Sequence, residues 1–457
     1  MKNVASNLSG DSLIQCLRSC FERVPDHRNP LLIKYKLSDI LISGFSIFAL
    51  KFPSLLQFDK QMRDKGLASR LSAVFKLNEV PSDTQMRAVV DEVDSEHLKR
   101  PFAKLFEKVQ RANQLKQFQF NDGKYLVPVD GTQCFTSTDI HCDSCMRKTD
   151  QEGNVRYHHQ MLGGCIAHPD QRNVIPLCPE AIRKQDGQTK NDCEQNALTR
   201  FLNQFRTDHP KLDVIIAADA IHTNNPRIKN LIAHGMSYIL AVKPGSHEKL
   251  FESVERWESN GQMIHVEIEE EIGDKVKKHC IHHFRFMNRA LLNHADLSSS
   301  TNFFEYWQTT QWVHARTHDT TEEKRHFSWV TDITITKDNI MQLMRGGRCR
   351  WKIENETFNT LKNQGYEFEH NFGHGHNHLS TNFGYFMFLA FLFDQIQMIG
   401  CKVFQRVYKT ECFACLSMFW DELRSTYKMS YRLSYTFDSW EALLTGNVRM
   451  IASADTG

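Results

Sequence analysis

The chain has 457 residues, a formal net charge of +2, 24% charged and 41% hydrophobic residues, and 13 cysteines. That length suggests two to four structural units with ample material for a core, in an ordinary soluble globular composition. Near-neutral charge means that any positive field for nucleic acid must come from local clustering, and the lack of a P-loop or GxGxxG argues against a nucleotide cofactor.

The opening "MKNVASNLSGDSLIQ" has no continuous apolar core of a signal peptide. The scattered, odd-numbered cysteines therefore predict reduced thiols in an intracellular protein. Leu37–Phe58 is apolar but broken by Asp39, Lys51 and Pro53, and the run Phe383–Phe393 ends at Asp394. Both fall short of the roughly 20 apolar residues of a span, so both predict buried helices and no membrane partner.

In chain order, residues 1–120 predict a helical region. "SDTQMRAVVDEV" opens on a Ser82/Asp83 cap and repeats Met86, Val89, Val90 and Val93 at helical spacing. "PFAKLFEKVQ" places Pro101 in a first turn. Residues 121–245 change character. "YLVPVDG" predicts a strand stopping at Asp130-Gly131, "RYHHQMLGGCIAH" and "NVIPLCPEAI" further strands, and "DCEQNALTRFLNQF" a helix. "LDVIIAADA" predicts a buried strand ending at Asp219, "NPRIKNLIAHG" a helix closing on Gly235, and "SYILAVKPG" another strand. Strands alternating with helices predict an α/β core. Residues 246–334 turn β-rich and predict an insertion. Residues 335–400 return to the core with the stretch "RWKIENETFNTLK", and 401–457 predict packed helices with a frayed end.

Carboxyl ends of strands form the ligand crevice of open α/β sheets, which makes Asp130 and Asp219 rim candidates, although each could merely start a turn. On a regular helix at about 100° per residue, Glu354 lies about 60° from Trp351 and about 40° from Phe358, on the apolar face. Glu356 falls on the polar face beside Lys352. An inward carboxylate needs a partner or a metal. Arg350 could be that partner. Two strand-end aspartates and a helix glutamate equally suit Mg²⁺, which prefers carboxylate oxygens and serves phosphoryl transfer.

On these residues the chain resembles the DDE transposases of bacterial insertion sequences, in the subgroup with a β insertion before the last acidic residue and a Tyr-x2-Arg-x3-Glu-x6-Lys signature. Arg350 and Glu354 in "RWKIE" match the Arg-x3-Glu part. Gly347 stands where that signature has tyrosine, Leu361 where it has lysine, and Lys362 one residue later. The resemblance implies an RNase H-like core with Asp130, Asp219 and Glu354 as catalytic metal ligands, and two Mg²⁺ (or Mn²⁺) ions. It implies cleavage at terminal inverted repeats by water, then attack of the freed 3′-OH on target DNA. It further implies a homodimer during synapsis and a cytoplasmic, nucleoid-associated bacterial protein. An RNase H-like nuclease without strand transfer and an inactive DNA-binding relative are the alternatives. Arg350 and Lys362 would hold phosphates. An aromatic residue of the insertion can hold a flipped base in such relatives, and Trp307, Trp312 and Trp329 are candidates or simply core tryptophans. "PSLLQFDKQMRDKG" with "SDTQMRAVVDEV" could form a helix-turn-helix-like pair carrying Arg87 to DNA, or belong to a plain bundle.

Cys142-x2-Cys145 with His141 beside it and His158/His159 further on offers a structural Zn²⁺ set of Cys142, Cys145, His141 and His158, against unligated thiols. The histidines of "FGHGHNHLS" read as solvated loop residues.

Overall fold

The computed structural model describes residues 8–183, 190–273, 278–292, 300–313, 320–410, 413, 415–429 and 435–450. The frayed end expected after residue 450 lies outside them.

Helices α1 (Gly10–Phe21), α2 (Leu37–Ala49), α3 (Leu55–Met62), α4 (Lys65–Phe75), α5 (Asp83–Asp91) and α6 (Arg100–Arg111) precede the sheet. Their starts follow from capping chemistry: Ser54, Asp64 and Ser82 each accept a backbone N–H three residues on. Because α4 separates α3 from α5, the pair expected to form a helix-turn-helix is not consecutive.

Strands β1 (Tyr125–Ser137), β2 (Met146–Thr149), β3 (Val155–Ile166), β4 (Ile175–Pro176) and β5 (Glu180–Ile182) come next. Helix α7 (Lys190–Asp208), β6 (Val214–Ala218), α8 (Asn225–Ala233), β7 (Ser237–Ala241) and α9 (Glu248–Ser259) follow. Four long strands, β8 (Ile264–Ile272), β9 (Lys278–Leu291), β10 (Ser300–Val313) and β11 (Thr320–Thr331), then lead to α10 (Ile340–Arg348) and α11 (Asn359–Asn363). The described chain ends with α12 (Leu379–Gly400), α13 (Lys402–Thr410), α14 (Leu416–Met429), β12 (Tyr435–Thr436), α15 (Trp440–Leu444) and β13 (Arg449–Met450).

The fold is mixed α/β around one sheet, ordered β2-β3-β1-β6-β7-β11-β10-β9-β8, with β4 and β5 also paired to β3. β1, β6 and β7 run parallel, and β3 lies antiparallel to β1. All five residues of β6 are buried, as its continuous apolar run requires. The β-rich segment is not a separate layer: β11 joins β7 through Trp329↔Ala241, Val330↔Leu240 and Thr331↔Ile239, so it extends the same sheet.

β1 does not stop at Asp130-Gly131. Its parallel pairing with β6 ends at Pro128↔Ala217, but its pairing with β3 continues from Asp130↔Gly163 to Ser137↔Tyr157. The antiparallel partner overrides the turn propensity of Asp-Gly.

Helix α12 is buried almost throughout, including Phe383–Gln397. It is long and apolar enough to cross a membrane, but 89% of that stretch is buried inside the protein. Phe45 meets Phe393 and Phe21 meets Phe386, so the amino-terminal helices wrap α12 and share one core with the sheet. In that core Lys51 and Asp394 pair at 2.6 Å, with the Tyr366 hydroxyl donating to the same carboxylate. Phe358 and Phe388 cover the sheet face at Gly163, and Phe201 of α7 covers the other at Gly164.

Candidate functional site

Asp130 sits in β1 just beyond the point where β6 stops pairing, and Asp219 is the first residue after β6. Two parallel neighbours thus deliver carboxylates to one end of the sheet. Asp219 also accepts the Ile221 N–H at 3.1 Å, which caps a short 3₁₀ turn.

The third carboxylate arrives from the segment after α10. Ile353–Phe358 form a π-helical turn, not a regular α-helix. Its wider i→i+5 turn breaks the 100° phase used above. Ile353, Thr357, Phe358 and Leu361 are buried, while Trp351 is 51% exposed. The Glu354 side chain is 46% exposed, so Glu354 faces the crevice and not the apolar core. Glu356 is the more buried of the two glutamates. Lys352 does not pair with Glu356 but donates to the Gln171 carbonyl at 2.7 Å.

A single nitrogen, Nη1 of Arg350, lies 2.9 Å from Asp130 Oδ2 and 2.8 Å from Glu354 Oε1. Burial raises the Asp130 carboxyl to about 6, a hydrogen bond with Glu354 and the charge of Asp219 push the same way, and the Arg350 guanidinium and the Gly131 N–H oppose them. The three carboxylates therefore act on one another, with one cation already among them. They do not form a closed ligand set: the carboxylate trio is absent from the groups of His, Cys, Asp and Glu whose ligand atoms lie within 4.8 Å of one another. The donors are all oxygen, and the one that burial raises to about 6 is still mostly ionised at neutral pH, which fits a hard divalent cation such as Mg²⁺. On the opposite face of β1, Glu194 Oε1 and His222 Nε2 form a buried pair at 3.1 Å. A Cβ at Gly131 would approach Glu194 Oε2 at 2.9 Å, so that carboxylate would have to shift.

Gly347, at the signature's tyrosine position, has a steric reason: a Cβ would stand 2.6 Å from the Trp329 ring. Trp329 is buried and stacks on Phe304 and Phe327 at 5.1 and 5.5 Å, so it is a core tryptophan and no base contact. Trp307 is half-buried and stacks on His326 at 5.0 Å, and Trp312 lies 4.3 Å beneath the Lys278 ammonium. Lys362 pairs with Glu369 at 2.7 Å. Arg87 lies on α5, paired with Asp83 at 3.1 Å and packed on the loop at Gly373.

A separate cleft of about 710 Å³ is lined by Arg345, Arg348 and Lys352 together with Glu270 and His282. Sequence reasoning missed it, although the three cations stand at i, i+3 and i+7, which is one helical face. Arg345 pairs with Asp170, and Arg348 donates to Gln308 Oε1 at 3.1 Å.

The thiol cluster differs from expectation in its histidines. Cys142, Cys145, His159 and His374 bring their ligand atoms within 4.8 Å of one another. His141 instead stacks on Tyr157 at 4.2 Å, and His158 is buried one residue away on β3, where alternation turns it to the other face. The β3 pleat thus selects His159. His374 comes from the loop read as solvated, which Asp91 holds by accepting the backbone N–H groups of His376, Asn377, His378 and Leu379. None of the twelve described cysteines is in a disulfide.

No protein-family model matches the chain, and no curated protein matches it.

Proposed function

We propose that the chain is a Mg²⁺-dependent DDE transposase that cleaves DNA at the ends of a mobile element and joins them to target DNA. The carrying observation is that Asp130 and Glu354 share one guanidinium while Asp219, on the neighbouring parallel strand end, is near enough for its charge to act on Asp130. The order β5-β3-β1-β6-β7, with β3 reversed and β1, β6 and β7 parallel, supports an RNase H-like core.

Asp130, Asp219 and Glu354 would hold the divalent ions. When bound, Mg²⁺ supplies charge stabilisation and activation of the attacking oxygen in an in-line displacement. Arg350 neutralises the carboxylates in the metal-free chain and turns to a phosphate oxygen when DNA and cations arrive. Arg345, Arg348 and Lys352 would offer the backbone of the end duplex a positive wall in their own cleft. Lys362 would reach phosphate only by leaving Glu369. Two chains would synapse two ends, in the cytoplasm of a bacterial cell.

The test is an assay on duplexes carrying the inverted repeats that flank the reading frame. Mg²⁺-dependent cleavage followed by joining, lost in Asp130→Asn, supports the transposase. Cleavage without joining indicates a nuclease of the same core, and binding without cleavage an inactive relative. Absence of flanking repeats in the genome counts against the reading before any protein is made.

A further inference from the structure

We propose that Cys142, Cys145, His159 and His374 form a structural zinc site that ties the β1–β2 connection and β3 to the loop leading into α12. The distances carry the argument. Tetrahedral zinc with bonds of about 2.3 Å to sulfur and about 2.05 Å to nitrogen sets S···S at about 3.8 Å and S···N at about 3.6 Å. The two sulfurs stand 3.9 Å apart, His159 Nε2 is 3.5 and 3.4 Å from them, and His374 Nε2 is 3.3 Å from Cys145 Sγ. The sulfur separation is far from the roughly 2.05 Å of a disulfide.

A network of thiol hydrogen bonds explains this packing less well. Cys145 has one proton, yet its sulfur faces two imidazole nitrogens and a second sulfur. His374 Nδ1 is buried without a hydrogen-bond partner, so the ring is held at Nε2. One cation at the centre satisfies all four ligand atoms at once. Two thiolates and two imidazoles supply all four positions of a structural site for soft or borderline zinc, unlike the oxygen-rich crevice.

The ligands come from three places: the Cys142–Cys145 turn, β3, and a loop more than 200 residues later in the chain. That loop joins α11, which continues the Glu354 turn, to α12. The ion would fix the relative position of the sheet end and the helix that carries Glu354. This site does not depend on the transposase reading, since it requires neither DNA nor Mg²⁺.

The test uses the full-length chain purified with zinc and then dialysed against metal-free buffer. Plasma mass spectrometry should find about one zinc per chain, and cobalt exchange should give the intense visible bands of a tetrahedral thiolate site. Cys142→Ser and His374→Ala should lose the ion. His374→Cys, which keeps a ligand, should retain it, so loss by misfolding is distinguished from loss of a ligand. His141→Ala should retain it as well. Zinc-free wild-type protein after this treatment, a Cys142–Cys145 disulfide, or unchanged zinc in His374→Ala would overturn the proposal.

Discussion

The carboxylates around Arg350 and the thiols around Cys145 both lie along or just after β1, the first with Asp130 near its middle and the second with Cys142 and Cys145 in the connection that follows it. The first set is oxygen-only, half open to solvent, and held apart with a guanidinium among its members. The second is sulfur and nitrogen, largely enclosed, and already at coordination distances without any ion. Catalytic sites keep an open position and exchange their ligands, whereas structural sites are closed. On the proposed readings the two clusters would have opposite duties, chemistry for the loose one and stability for the tight one.

The most direct way to break this division is to neutralise the loose cluster. Asp130→Asn, Asp219→Asn and Glu354→Gln should each lower end cleavage by roughly 1,000-fold, about 4 kcal/mol in the barrier. The melting temperature of the metal-free chain should be unchanged or higher, because mutual repulsion is relieved. Cleavage rates and calorimetry on the same preparations decide it. Full activity in all three variants would remove the crevice from consideration.

The tight cluster should respond the other way. His374→Ala is expected to cost roughly 3 kcal/mol of stability, since loss of a metal is among the larger single-residue effects. Cleavage per folded molecule should fall far less than in the carboxylate variants. Thermal melts with and without chelator check this: chelation should destabilise the wild type and leave His374→Ala unmoved.

The two clusters were unequally legible in the sequence. Asp130 and Asp219 announced themselves because each follows a short apolar strand run, and Glu354 because Arg350 stands four residues before it. Their mutual arrangement was misjudged at Glu354, since a π turn cannot be read from a pattern assumed to repeat at 3.6 residues. In the thiol cluster the CxxC was visible but its histidines were not. His159 rather than His158 follows from the β3 pleat, which neighbouring letters cannot phase by themselves. His374 depends on the loop that Asp91 anchors from α5, a tertiary contact spanning most of the chain. The extended β1 and the fusion of β8–β11 to the core sheet were hidden for the same reason, because pairing partners decide where strands end.

A smaller effect sharpens the contrast through pH. Asp130 titrates near 6, raised chiefly by burial, so in the metal-free chain its stabilising contribution is complete below the ordinary carboxylate range and is lost as pH rises through about 6. Magnesium bound at the proposed site would reverse the dependence because it requires the ionised carboxylate. Mg²⁺ affinity should therefore fall about tenfold per unit as pH drops below about 6. Isothermal titration over that range checks it, and Asp130→Asn should flatten the profile. Zinc retention at the thiol cluster should not follow this curve.

The smallest expected effect separates two neighbours on one turn. Burial holds the Cys165 thiol up at about 12, and the charge of Glu356 adds to that, so Glu356 acts on the β3 side of the turn. Glu354 acts on Asp130 instead. Glu356→Ala should leave end cleavage within about twofold and stability within about 0.5 kcal/mol, the usual range for a residue outside any site. The matched Glu354→Ala should abolish cleavage while DNA binding, followed by fluorescence anisotropy, stays intact. Equal loss from both would mean that the π turn does not divide the pair, and the crevice would then have to be redrawn with Glu356 inside it.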